Sequence, residues 1–164
     1  MSDQSPNPSC GTAGPIAPTG HAPIRLEMLS QPMYLAGARD LVSAVAKRLG
    51  FTDLSCSQIA LAVDEALCNI IRHGYQRRTD GPIWISLWPL ESPAALKIVI
   101  EDEARQVDPA TIKSRDLADI RPGGLGVHII KEVMDEVTYE HRPVAGMRLT
   151  LVKRRDAAQQ AGAA

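Results

Sequence analysis

The chain has 164 residues, of which 45% are hydrophobic and 23% charged, so it has the length and composition of a single globular domain with short tails. Its net charge of −1 argues against nucleic acid or an anionic membrane as the main partner, because both select a basic surface. Three widely spaced cysteines predict neither zinc nor a disulfide framework and suit a cytoplasmic protein, and no apolar run approaches the roughly 20 residues of a membrane span.

The chain divides into a central domain and two tails. Residues 1–22 are rich in Pro, Gly, Ser and Ala and show no signal-peptide pattern, so we predict a disordered tail. The domain extends over 23–154. Residues 155–164, mostly Ala and Gln, are predicted to form a second flexible tail.

Hydrophobic periodicity predicts the elements of the domain in chain order. They are a strand at 24–30, a helix at 34–50 closed by Gly50, a helix at 54–74 with Ser55 or Ser57 as N-cap and Gly74 at its end, strands at 81–90 and 95–103, a long irregular stretch, a helix at 126–137, and a terminal hairpin that turns at 144–146. Clustered strands and clustered helices predict an α+β fold. We expect a two-layer sandwich with a mixed, mostly antiparallel sheet and helices on one face.

The helix at 54–74 has an unusual polar stripe. Glu65 and Asn69 lie one turn apart on one face, followed by Arg72, with His73 at the edge. Such a stripe is often merely solvated. A carboxylate paired with an amide can instead accept a proton and bind Mg²⁺.

Two later segments offer further candidate groups. Asp102 ends a strand that is predicted to be buried, where it could form a turn, cap the next element or accept hydrogen bonds from a ligand amine. Gly123, Gly124 and Gly126 precede a helix, where glycines let backbone N–H groups approach an anion. Glycines also serve turns freely, and the segment lacks the GK[ST] of a P-loop.

The order of these motifs resembles a known family. "LAVDEALCNIIRHGY", "IEDEARQVDP" and "GGLGVHIIKEVMDEVTYE" are similar to the N-box and the two glycine boxes of the ATP-binding domain shared by gyrase, Hsp90 and histidine kinases. The closer resemblance, over about residues 24–153, is to the anti-sigma factor serine kinases of bacterial partner-switching systems. It implies a Bergerat-type fold that binds ATP and Mg²⁺.

The resemblance also implies roles for single residues. Glu65 matches the general base, Asn69 the Mg²⁺ ligand and Asp102 the carboxylate that binds the adenine amino group. The matching ATP-site positions also include these residues: His73, Ala104, Gly123, Gly124, Leu125 and Gly126. For His73, capping of helix carbonyls is an equal alternative.

The implied partners are a sigma factor and a small STAS-like antagonist protein that carries the acceptor serine. Arg39 matches a partner-contact arginine, with a surface salt bridge as the equal alternative. Family members often form homodimers.

One departure from the family pattern gives rise to a second hypothesis. The first glycine box usually reads Asp-x-Gly, but this chain has Ala104 at the third position. If that position needs a positive φ or a close approach to adenine, alanine carries a cost there. The protein is therefore expected to be either a serine kinase and anti-sigma factor or a non-catalytic module of the same fold that regulates a partner by sequestration.

Overall fold

The computed structural model describes residues 22, 24–92, 94–112 and 125–155. The predicted tails lie almost entirely outside these residues. Gly123 and Gly124, predicted for the phosphate side of the site, also lie outside them.

The elements follow the predicted order with shifted ends. They are β1 (Ile24–Leu29), α1 (Leu35–Arg48), α2 (Asp53–Asn69), β2 (Pro82–Glu91), β3 (Ala94–Asp102), α3 (Leu125–Val133), β4 (Glu136–His141) and β5 (Met147–Arg154), with 3-10 turns at Pro32–Tyr34 and Pro109–Thr111.

The five strands form one sheet in the order β1-β2-β3-β5-β4, and every neighbouring pair is antiparallel. Alternate residues of the central strands are buried against the helices; they include Ile83, Ile85, Leu87, Leu96, Ile98, Ile100, Leu149 and Leu151. The intervening positions, such as Trp84, Glu101 and Arg148, occupy the other face. The predicted α+β sandwich with helices on one face is confirmed.

Helix α2 contributes much of the core. Its buried side chains include Ile59, Ala62, Val63, Ala66 and Leu67. Together with the turn that follows, the 22-residue stretch Asp53–Gly74 is long and apolar enough to cross a membrane by length and composition, contrary to the sequence estimate, and half of its most apolar window is buried inside the protein. Packing against the sheet explains this apolar character.

The N-cap prediction for α2 was wrong. Thr52 is the cap, because its side chain accepts a hydrogen bond from the backbone N–H of Ser55 at 3.2 Å. At the end of α1, Gly50 has φ +82, which confirms the predicted glycine stop.

Two other ends differ from the prediction. After Asn69 the helix widens into a π-turn at Ile70–Gly74, where the N–H of Tyr75 reaches the carbonyl of Ile70 at 2.8 Å. Helix α3 ends at Val133 rather than 137. Residues Glu136–His141 instead form β4, because that segment pairs with β5 and packs Val137 and Tyr139 against the core.

Candidate active site

Glu65 and Asn69 lie on α2 where the first turn of α3 crosses it. A Cβ atom built on Gly126 would lie 2.6 Å from Glu65 Oε2 and 3.2 Å from Asn69 Nδ2. Gly126 is buried, and both polar residues are half-buried. The second glycine box therefore meets the polar stripe directly, and only a residue without a side chain leaves both groups undisturbed.

The stripe does not behave as one solvated face. Glu65 and Asn69 face α3, whereas Arg72 and His73 are exposed at the π-turn. A carboxylate and an amide are thus held together beside the N-terminal turn of a helix, an environment that favours negative charge.

Asp102, at the end of β3, is a further polar residue predicted for the site, and it is only 3% exposed. Its Oδ1 accepts hydrogen bonds from the N–H groups of Ala104 at 2.8 Å and Met147 at 3.3 Å. Burial raises the pKa of this carboxyl, while the two backbone hydrogen bonds oppose the shift. Asp102 thus forms a turn through Oδ1, and among the described residues no hydrogen bond to Oδ2 is present.

Ala104 is tolerated by the backbone at its position. Among the described residues other than glycine, only Gln76 and Arg77 have positive φ, so Ala104 does not occupy the left-handed region. Its methyl group is buried and faces Gly74 of the π-turn, where an added Cβ would lie 2.9 Å away. The conformational cost expected for alanine at this position therefore does not arise.

Two residues near Asp102 were not predicted as part of the site. The Tyr75 hydroxyl donates to the carbonyl of Pro82 at 2.6 Å and accepts from the N–H of Glu103 at 2.8 Å. Arg142, from the hairpin between β4 and β5, donates to the carbonyl of Asp102 at 2.6 Å. Tyr75 was visible only as part of "HGY", and no local pattern connects Arg142 with Asp102.

The remaining predicted residues lie at the edges of the site or outside it. Leu125 begins α3 and is 52% exposed. Arg39 lies on α1, 3.5 Å from a carboxylate oxygen of Asp64 on α2, so the expected surface salt bridge is present.

Magnesium would require oxygen ligands from outside the protein. The described part of the chain contains no cluster of three or more His, Cys, Asp or Glu side chains that could hold a metal ion. An amide oxygen such as that of Asn69 fits Mg²⁺, which commonly takes one or two protein ligands and completes its shell with phosphate and water oxygens.

Comparison with known proteins agrees with this geometry. Residues 28–153 match the family described as the histidine kinase-like ATPase domain. The serine-protein kinase RsbW of Bacillus subtilis is 28% identical over 79% of this chain and 84% of its own length. The RsbW of Oceanobacillus iheyensis is 30% identical over 70% of this chain and 76% of its own.

Solved structures share the fold at low sequence identity. The RsbU and RsbW domains of a Mycobacterium tuberculosis protein align with a TM-score of 0.55 and 14% identity, over 80% of this chain and 31% of that one. A blue-light activated histidine kinase domain from Erythrobacter litoralis gives a TM-score of 0.51 and 17% identity, over 78% of this chain and 62% of that one. The chain therefore belongs to the histidine kinase-like ATPase domain family and, within it, to the anti-sigma factor serine-protein kinases typified by RsbW.

Proposed function

We propose that this protein is an ATP-dependent serine kinase that phosphorylates a STAS-like antagonist protein and holds a sigma factor inactive in the cytoplasm. The observation that supports it most directly is the packing of Gly126 against Glu65 and Asn69. It joins a potential base, a potential metal ligand and the N-terminal turn of a helix at one place.

Glu65 is proposed as the general base. It would accept the proton from a serine hydroxyl of the partner while the serine oxygen bonds to the γ-phosphorus of ATP and the bond to ADP breaks. Its half-buried position on α2 leaves the side chain reachable, and contact with Gly126 restricts its rotamers. Restricting the base in this way reduces the entropy lost on reaching the reactive geometry.

Asp102 is proposed as the adenine anchor, with Oδ2 accepting a hydrogen bond from the exocyclic amine. Asn69 is proposed as a magnesium ligand, and the ion when bound would neutralise charge on the phosphate oxygens. Gly123, Gly124, Leu125 and Gly126 are proposed to surround the phosphates through the backbone at the start of α3. His73 is exposed in the π-turn that follows Asn69 and is proposed as a peripheral contact.

Arg39 is proposed to contact a partner protein. Its guanidinium is 42% exposed and borders a shallow surface cleft of ≈350 Å³ between α1 and α2, together with Ser43, Ser57, Leu61 and Asp64. The exposed pair of Arg39 and Asp64 contributes little to stability, since surface ion pairs are typically worth up to about 1 kcal/mol. The arginine can therefore exchange its partner at small cost.

A homodimer is proposed at the edge of the sheet. Within the described part of the chain β1 is an edge strand of the sheet, and it borders a cleft of ≈650 Å³ with α1 that is lined largely by apolar side chains. Met33, Leu29 and Tyr34 beside it are 74%, 43% and 42% exposed. Exposed apolar surface next to an unpaired strand edge is typical of a protein interface.

A transfer assay tests the kinase proposal. The purified protein is incubated with Mg²⁺, ATP labelled at the γ-phosphate and STAS-like antagonist proteins, and label on a serine is measured. Glu65→Gln should reduce transfer by at least about 100-fold, because it removes the base but keeps the shape. Calorimetric titration should show that Glu65→Gln leaves ATP binding nearly unchanged.

The matched control is Glu132→Gln, which changes an exposed glutamate on α3. It should transfer phosphate at the wild-type rate. ATP binding without transfer by the wild-type protein would favour the sequestering module. If Glu65→Gln retains full transfer, the base assignment is wrong.

A further inference from the structure

The peptide group between Asp102 and Glu103 is held by side chains at both of its polar atoms. Its carbonyl accepts from Arg142 Nη1 at 2.6 Å, and its N–H donates to the Tyr75 hydroxyl at 2.8 Å. The C=O and N–H of a trans peptide point in opposite directions, so the two side chains approach from opposite sides. Rotation of this peptide would break both hydrogen bonds.

Tyr75 is itself fixed in place. The residue is 5% exposed, and its hydroxyl donates to the carbonyl of Pro82. Gly81 lies against its ring, since a Cβ built there would be 2.3 Å from a ring carbon. The hydroxyl oxygen is therefore a rigid acceptor at the end of the π-turn.

Arg142 is fixed from the other face of the sheet. Its guanidinium lies over the ring of Trp84 at 5.0 Å and within 3.6 Å and 3.7 Å of carboxylate oxygens of Glu101 and Glu103. The same hairpin places Gly146, at φ +80, so close to the carbonyl of Asp102 that a Cβ would lie 1.8 Å from it. Glycine is required at position 146 for both reasons.

We propose that Tyr75 and Arg142 are positioning residues for adenine recognition, which hold the peptide after Asp102 so that its carboxylate keeps one orientation toward the ligand. This inference rests on the proposed ATP site. It adds that selectivity for adenine depends on a clamp formed by one residue from the helical layer and one from the hairpin. Holding the acceptor in place before binding lowers the entropy lost when the ligand arrives.

The first test concerns the protein without nucleotide. Tyr75→Phe keeps the ring and removes the hydroxyl, so the Glu103 amide should exchange with deuterium faster than in the wild type. Tyr139→Phe is the control, because within the described residues the Tyr139 hydroxyl makes no side-chain hydrogen bond. Burial alone raises the pKa of the Tyr139 phenol, to about 12. Unchanged exchange at Glu103 in Tyr75→Phe would overturn the clamp.

The second test measures affinity for ATP and GTP by calorimetry. Tyr75→Phe and Arg142→Gln should each weaken ATP binding about fivefold, the equivalent of one hydrogen bond, and reduce the preference for ATP over GTP. Arg142→Lys should restore part of the preference, and Arg148→Gln should not change it, because Arg148 pairs with Glu101 but not with Asp102. A variant that merely loosened the fold would lower its melting temperature without changing this preference.

The outcomes separate the two proposals. If the wild-type protein does not bind ATP, the proposed function fails and this inference fails with it. If the wild type binds ATP and both clamp variants keep its nucleotide preference, the inference alone is overturned. If Tyr75→Phe does not fold, Arg142→Gln, which changes a residue at the sheet surface, decides the question.

Discussion

Asp102 is a buried acid, and its proposed role as adenine anchor requires the ionised carboxylate, with Oδ1 bound to the backbone and Oδ2 accepting from the ligand. Burial raises its pKa above the ordinary 3.8, so on acidification it takes up a proton before an exposed aspartate would. A proton on the carboxyl would remove the acceptor that we propose for the adenine amine. ATP binding should therefore weaken as the pH falls toward the raised pKa, and binding should release protons, because the ligand stabilises the carboxylate.

Calorimetry from neutral to mildly acidic pH would measure this dependence, with Asp102→Asn as the control. The variant should discriminate less between ATP and GTP and lose the pH dependence of ATP binding that comes from Asp102.

The raised pKa of Asp102 also affects the stability of the protein. Since the folded state holds the proton more tightly than the unfolded chain, the contribution of Asp102 to the free energy of unfolding decreases as the pH rises through its folded pKa. If the pH profile of ATP binding were identical in the wild type and Asp102→Asn, Asp102 would not be the adenine anchor.

Gly74 and Ala104 form a pair in which one side chain fills the space that the other leaves. Gly74→Ala should lower the free energy of unfolding by about 1–3 kcal/mol, because the new methyl would lie 2.9 Å from that of Ala104. Adding Ala104→Gly should recover most of this loss. Urea unfolding of both single variants and the double variant would measure the coupling, and strictly additive effects would show that the two positions do not share the space.

Gly126 lies where α3 crosses α2, and a side chain at this position would displace a neighbouring group. Gly126→Ala would place a methyl 2.6 Å from Glu65 Oε2, so either the carboxylate or α3 must move. We expect phosphate transfer to fall by at least about tenfold, because small displacements of a catalytic group are costly. Gly37→Ala is the matched control, since nothing lies within 4 Å of a Cβ at that position of α1.

Gly37→Ala should keep full transfer and raise stability by up to about 1 kcal/mol, the usual gain for alanine over glycine in a helix. Transfer assays and thermal unfolding of the two variants would compare them directly. Full activity of Gly126→Ala would show that the contact between α2 and α3 does not position Glu65.

The sequence predicted elements well where their signal is periodic, and poorly where tertiary contacts decide. The order of strands and helices and the pairing of Glu65 with Asn69 follow from spacing alone. The π-turn after Asn69 and the end of α3 at Val133 do not. Beside the π-turn, Tyr75 hydrogen bonds to Pro82 and Glu103, and beyond α3 the strand β4 pairs with β5. For the N-cap of α2 the sequence pattern indicated Ser55 or Ser57, and it missed Thr52, whose side chain accepts the hydrogen bond from the Ser55 N–H.

The site could be predicted to a similar extent. Motif order predicted which residues belong to it, and their roles stay predictions. The contact between the first turn of α3 and Glu65 depends on how two helices cross. Arg142 is 40 residues from Asp102 in sequence, and only the antiparallel sheet brings the hairpin to the end of β3. The φ of Ala104 likewise had to be observed.

At the scale of the whole molecule, a cleft of ≈650 Å³ lies between β1 and α1, and Glu65 does not line it. A second copy that covered this edge would bury Met33, which is 74% exposed, together with the neighbouring apolar side chains. Such a dimer would place its interface on α1, the helix that also carries Arg39. Self-association and partner binding would then involve the same element.

Met33→Asp should convert a dimer to a monomer, because it places a charge within the apolar interface. Val144→Asp is the matched control: Val144 is 95% exposed at the turn between β4 and β5, far along the sheet from β1. Sedimentation of both variants and the wild type over a range of concentrations would measure the association. When both are monomeric, Met33→Asp and Val144→Asp should melt at the same temperature. Only Met33→Asp should lose the increase of sedimenting mass with protein concentration. A wild-type protein that stays monomeric, or a Met33→Asp protein that still dimerises, would place the dimer elsewhere or exclude it at those concentrations.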